Sequence, residues 1–194
     1  MRPRPTGIDA TRSTVLDGLG KDGGVTQDGL LTVAAETERY VSAAGWDQPP
    51  RLFALVPTRE LAQVVPGLSE TDAVDDAGLS AVEQENLPAS DDLEGMLAQI
   101  AWPAAVVGAA ISVERLVVPP EAERDLPQDP AAALAQLAAH PERKDVRLLV
   151  AIHQDGRHIA LLRQRDHDAD NLVGTGPDLA PGLTQALLAT FAAR

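Results

Sequence analysis

The stretch Val146-Arg147-Leu148-Leu149-Val150-Ala151-Ile152-His153-Gln154-Asp155-Gly156-Arg157-His158-Ile159-Ala160-Leu161-Leu162-Arg163 decides the fold class. Two apolar runs flank Asp155-Gly156, the pattern of a β-hairpin. A two-residue Asp-Gly loop favours a type I′ turn, because its twist matches that of the strands. Such a loop predicts a register with His153 opposite His158, Ile152 opposite Ile159 and Val150 opposite Leu161. In that register Arg147 and Arg163 project from opposite faces.

Upstream, Trp102-Pro103 precedes a long apolar stretch, Ala104 to Val118, read as the longest strand. Its odd positions, among them Ala109, Ile111 and Val113, form an apolar face. Its even positions include Gly108, Ala110 and Ser112, small residues that let a helix approach the sheet closely. Pro119-Pro120 stops the strand, and an acidic, proline-containing loop follows. Pro130 then opens an Ala/Leu-rich helix to about residue 139, capped by Asp129. Leu52-Phe53-Ala54-Leu55-Val56 is a compact strand bounded by Pro57. Thr58 starts a short helix that Pro66-Gly67 ends.

Leu30, Val33, Thr37, Tyr40, Val41 and Ala44 recur at helical spacing after Asp28, and Gly45 sits where a left-handed C-terminal residue belongs. Near the other end, Pro181 opens a helix with Leu183, Leu187, Leu188 and Phe191 on its apolar side. The predicted fold is α+β: a four-stranded, mainly antiparallel sheet with the N- and C-terminal helices packed on one face. Residues 1–28, glycine-rich and without apolar periodicity, read as a disordered arm ahead of a single domain spanning 29–194. Residues 69–92 carry eight acids and no Lys or Arg, so an acidic mobile loop is expected at about 69–91. A helix from about Asp92 to Ala101 follows it.

The 194 residues include no cysteine, which removes disulfides, thiolate nucleophiles and cysteine-based metal sites, and points to a reducing compartment. No run approaches the roughly 18 apolar residues of a membrane span, and no apolar run follows the basic N-terminus as in a signal peptide. A soluble, cytoplasmic protein is expected. The net charge of −13 opposes binding to nucleic acid or an anionic membrane surface and favours a basic protein partner.

Candidates for chemistry are few. On facing strand positions His153 and His158 would offer two imidazoles to a metal, but zinc usually needs three or four protein ligands, so a surface pair is the better reading. Asp166-His167-Asp168-Ala169-Asp170-Asn171 starts like a calcium loop. Asn171 then occupies the glycine position, and Pro177 falls where the bidentate glutamate belongs, so a solvated acidic loop fits better. Gly174-x-Gly176 ahead of a helix reads as a turn rather than an anion site. No serine sits in a Gly-x-Ser-x-Gly elbow. No catalytic residue and no cofactor is assigned. Trp46 and Trp102, each beside turn-forming prolines, are core anchors or docking groups.

Several segments resemble an uncharacterised family of actinobacterial proteins. They are Ala44-Gly45-Trp46-Asp47-Gln48-Pro49-Pro50-Arg51-Leu52-Phe53-Ala54-Leu55-Val56-Pro57-Thr58, Trp102-Pro103, Val113-Glu114-Arg115-Leu116-Val117-Val118-Pro119-Pro120, and Gly176-Pro177-Asp178-Leu179 with Pro181-Gly182-Leu183. The resemblance covers the chain from about residue 29 onward and implies lineage and a cytoplasmic location, not an activity. The leading expectation is a non-catalytic interaction module, an adaptor or chaperone-like factor. Its interaction or ligand surface would draw on Trp46, Pro49, Pro50, Arg51, Trp102 and Asp178. The alternative is a small-molecule-binding protein or enzyme with a pocket near the 46–51 turn or the 166–178 loop.

Overall fold

A computed structural model describes residues 27–64, 78–88 and 92–192. In chain order the elements are helix α1 (Gln27–Ala43), strand β1 (Arg51–Pro57), α2 (Thr58–Val64), β2 (Leu79–Glu83), α3 (Leu93–Leu97) and β3 (Gly108–Val117). They continue with α4 (Pro130–Ala138), β4 (Lys144–His153), β5 (His158–Gln164), β6 (Gly174–Gly176) and α5 (Pro181–Ala189). The strands form one open sheet in the order β2-β1-β3-β4-β5-β6, and every neighbouring pair is antiparallel.

The sheet therefore has six strands, not the expected four. Both additions are edge strands. β2 lies inside the 69–91 segment read as a loop, where Leu79-Ser80-Ala81-Val82 is a short acid-free run and the acid that follows it, Glu83, is neutralised by Arg51 at 2.6 Å. β6 lies inside the 166–178 loop and pairs with β5 from Gly174 to Gly176. Residues 69–77 and 89–91 of the acid-rich segment and the proposed arm up to residue 26 lie outside the described residues, and α1 already begins at Gln27.

The hairpin forms, but its register differs by one residue. His153 N–H donates to Arg157 O at 2.8 Å and Gly156 N–H donates to His153 O at 2.9 Å. The loop is thus Gln154-Asp155-Gly156, three residues long, with Gly156 in the left-handed region at φ 96°. That is the alternative hairpin loop, a turn closed by a left-handed glycine. Ile152 now stands opposite His158 and Val150 opposite Ala160. A one-residue slip moves side chains to the other face. Arg147 and Arg163 consequently become direct cross-strand neighbours on one face.

The two terminal helices take opposite faces of the sheet, not a shared one. Leu30, Val33, Ala34 and Val41 of α1 cluster with Phe53, Leu55, Ala110, Leu149, Ala151 and Leu161. Leu187 of α5 and nearby Phe191 cluster with Leu52, Ala54, Ile111, Val113, Val150 and Ile152. Each central strand is buried on both sides, and its sequence is continuously apolar for that reason. Leu187 is fully buried, and burial of one such side chain contributes about 1.5–3 kcal/mol. The small even positions of β3 lie under α1, as their size predicts. At Gly108 a Cβ would stand 2.3 Å from Ile152 O, so no larger residue fits.

Local signals hold where they are short-range. Asp92 accepts from Gly95 N–H, and Asp129 accepts from Ala132 N–H at 2.8 Å, so both act as N-caps. Gly45 has φ 84° beyond the end of α1. α4 buries no side chain, and Leu134 is 64% exposed. It stands off the body on the excursion between β3 and β4.

Candidate functional site

The charged end of the α1 face is built around four arginines. Arg163 is 2% exposed and forms a bidentate pair with Glu38 of α1, at 2.6 and 2.7 Å. It also donates to Asp168 at 3.0 Å and Asp170 at 2.8 Å. The Glu38 carboxylate raises the Arg163 guanidinium further above its ordinary range. The alternating acids that begin like a calcium loop are thus ligands of an arginine. Arg147, equally buried, donates to Glu114 at 2.9 Å and to the Gly45 carbonyl, while its Nε has no hydrogen-bond partner.

Trp46 packs against two guanidinium groups. Arg147 lies 4.4 Å and Arg165 5.4 Å from its ring centroid. Cations over an indole face are attracted by the ring quadrupole, by about 0.5–1 kcal/mol each at exposed sites and more when desolvated. The indole N–H donates to Asp168 at 2.8 Å, and this bond holds the Asp168 carboxyl below the usual range. Arg165 forms a bidentate pair with Asp47, whose carboxyl it also holds low. Asp47 has φ 65°, and its N–H donates to Glu114 at 2.8 Å. Glu114 therefore ties the turn after α1 to Arg147.

Arg51 completes the series. It makes bonds of 2.6 and 2.7 Å to Glu83 on β2 and lies 4.8 Å from the Tyr40 ring centroid. Tyr40 O–H donates to the same carboxylate at 3.0 Å. The Arg51 bonds hold Glu83 below the ordinary carboxylate range.

The expected surface residues do not assemble. Trp46 and Arg51 belong to this network, with Pro49 and Pro50 exposed between them. Trp102 lies on the other face, where it stacks on Phe191 at 5.8 Å and donates to Thr190 at 2.8 Å. Asp178 is exposed in the turn before α5. His153 and His158 also part company. The observed register sends them to opposite faces, and buried His153 lies 2.9 Å from Asp155. Among the described residues no group of three or more His, Asp or Glu side chains is arranged to hold a metal. None of the described helices is long and apolar enough to cross a membrane.

A different feature has the form of a binding surface. Between α1, α2 and the edge strand β2 runs an open groove of 420 Å³. Val33, Phe53, Leu61 and Leu79 give it an apolar floor, and Tyr40, 56% exposed, stands at its rim with Glu36 and Glu83. Beside the 166–178 loop the cavity is only 160 Å³. The groove was not legible in the sequence because the acid count of 69–92 masked the short acid-free run of β2. The signal was there in Leu79-Ser80-Ala81-Val82.

A six-stranded antiparallel sheet with helices on both faces, a buried arginine network and one open edge groove defines an α+β protein of two cores. The chain belongs to the PPA1309-like protein family, whose model matches residues 30–192. Searches of curated proteins and of solved structures gave no match.

Proposed function

We propose that this chain is a non-catalytic protein-interaction module, adaptor or chaperone-like in role, that receives a partner polypeptide at the edge of β2 beside the α1 groove. The carrying observation is the combination of an edge strand and an apolar groove on one side of it. Exposed edges template pairing with another chain, and proteins use them for recognition by strand addition. The arginine network supports the same reading, because Arg51, Arg147, Arg163 and Arg165 all spend their charge on internal carboxylates. A net charge of −13 favours a polypeptide over a phosphate backbone. We place the activity in the cytoplasm, in keeping with the absence of cysteine.

Photo-crosslinking tests this. A benzophenone side chain replaces Val82 on the edge strand or, as the control, Leu134 on α4, in the full chain mixed with extract of its native cells. A covalent adduct with another polypeptide at position 82 and none at 134 is expected. No adduct at 82 overturns the reading.

A further inference from the structure

The hydrogen-bond parity of β2 settles which of its backbone groups are available. Gln84 N–H donates to Leu52 O at 2.8 Å and Thr58 N–H donates to Gly78 O at 3.0 Å, so even-numbered residues turn their backbone inward to β1. Alternation in an antiparallel pair then turns the N–H and C=O groups of Leu79, Ala81 and Glu83 outward. The same three residues pair with Pro57, Leu55 and Phe53, and Leu55 and Phe53 belong to the α1 face. A strand added to this edge would therefore be bonded by Leu79, Ala81 and Glu83 and would send alternate side chains into the groove under α1.

Charge then narrows the composition of that strand. Of the two rim carboxylates, Glu83 is already engaged by Arg51 and Tyr40. Glu36 is exposed and makes no ion pair among the described residues. Residues two apart on a strand share a face and lie about 7 Å from each other. One side chain on the apolar floor and the next on the same face near Glu36 is the pattern that fits. A second copy of this chain carries the same net charge of −13, so it brings repulsion to this edge. Residues 65–77 carry Glu70, Asp72, Asp75 and Asp76 and no Lys or Arg, so their sequence supplies no cation for Glu36.

We infer that the groove binds an extended polypeptide segment as a seventh strand on β2, with an apolar residue followed two positions later by Lys or Arg. This rests on the interaction reading above and names the partner's chemistry.

The test is panning of a displayed random octapeptide library against the full chain, followed by fluorescence-polarisation titration of the enriched peptides. Expected is enrichment of apolar-x-Lys/Arg sequences. Ala81→Pro removes an outward N–H, a position where an edge strand tolerates proline, and should weaken binding at least tenfold. Glu36→Lys, on the exposed side of α1, should weaken the basic peptide about tenfold and favour its Lys→Glu counterpart. Enrichment of acidic or patternless peptides, or affinity unchanged by both substitutions, overturns the inference. So does a dimer of the chain, seen by sedimentation, that Ala81→Pro dissolves. If position 82 still crosslinks a polypeptide while no peptide is enriched, the interaction reading stands and the extended-strand inference fails.

Discussion

Arg147 and Arg163 stand directly opposite each other on β4 and β5, each 2% exposed. Like charges in a cross-strand pair repel, and buried charges need partners. The fold meets both demands by giving each arginine its own carboxylates. Glu114 on β3 serves Arg147, while Glu38 on α1, Asp168 and Asp170 serve Arg163. The pair thereby links α1, three strands and the segment after β5.

Removing one side of a buried pair leaves an uncompensated charge. Glu38→Ala should cost about 3–5 kcal/mol, whereas Glu38→Met combined with Arg163→Met should cost clearly less than the single change. Urea unfolding of the three proteins measures both values. A Glu38→Ala loss below about 1 kcal/mol would show that Asp168 and Asp170 alone hold Arg163.

Trp46 contributes both its ring face and its N–H. Trp46→Phe keeps an aromatic ring against Arg147 and Arg165 but loses the bond to Asp168, and one such bond to a charged group is worth about 1.5–3 kcal/mol when buried and less here, since Asp168 is 42% exposed. We expect a loss of about 1 kcal/mol for Trp46→Phe and about 2–3 kcal/mol for Trp46→Ala. Thermal melts with Trp102 retained as the fluorescent probe would separate them.

The hairpin loop sets side-chain parity. Gly156→Ala places a Cβ at φ 96° and should cost about 1–2 kcal/mol through backbone strain alone, since nothing lies within 4 Å of that Cβ. Deleting Gln154 is a different change. It leaves Asp155-Gly156 as a two-residue loop between His153 and Arg157, so the observed pairs and the Arg163–Glu38 contact should survive and folded protein should be recovered. Soluble yield and far-UV circular dichroism report the outcome.

The carboxylates of Asp47, Glu83 and Asp168 have folded-state values below their unfolded ones. Their contribution to stability is complete above the unfolded range, near about 4, and is lost as pH falls through the lower folded values. The urea midpoint should therefore hold between pH 7 and 5 and drop toward pH 3. Asp168→Asn should be less stable than the parent at pH 7 yet show a smaller drop between pH 5 and 3. An equal drop in both proteins would remove Asp168 from this account.

How far the sequence reaches depends on the range of the interaction read. Caps and stops are local, so Asp129, Gly45 and the apolar face of α1 could all be read directly. The α1-facing small residues Gly108, Ala110 and Ser112 were equally plain. Register was not, because Asp155-Gly156 serves a two-residue and a three-residue loop alike, and one residue reverses the placement of Arg147, Arg163 and both histidines. β2 and β6 were hidden by composition: one lies in an acid-rich segment, the other is mostly glycine, and pairing with a neighbour makes each a strand. Glu38 with Arg163 and Trp46 with Asp168 join residues more than a hundred positions apart, and no local pattern announces them.

The outlying helix α4 has a practical meaning. Residues 121–141 leave the sheet at the end of β3 and return at the start of β4 with no side chain of α4 buried. Closing a longer or shorter loop there changes the free energy only logarithmically. This excursion is the place where the chain can be cut, lengthened or given a cargo, and a reporter domain spliced after Leu134 should leave the sheet, both cores and the β2 edge as they are.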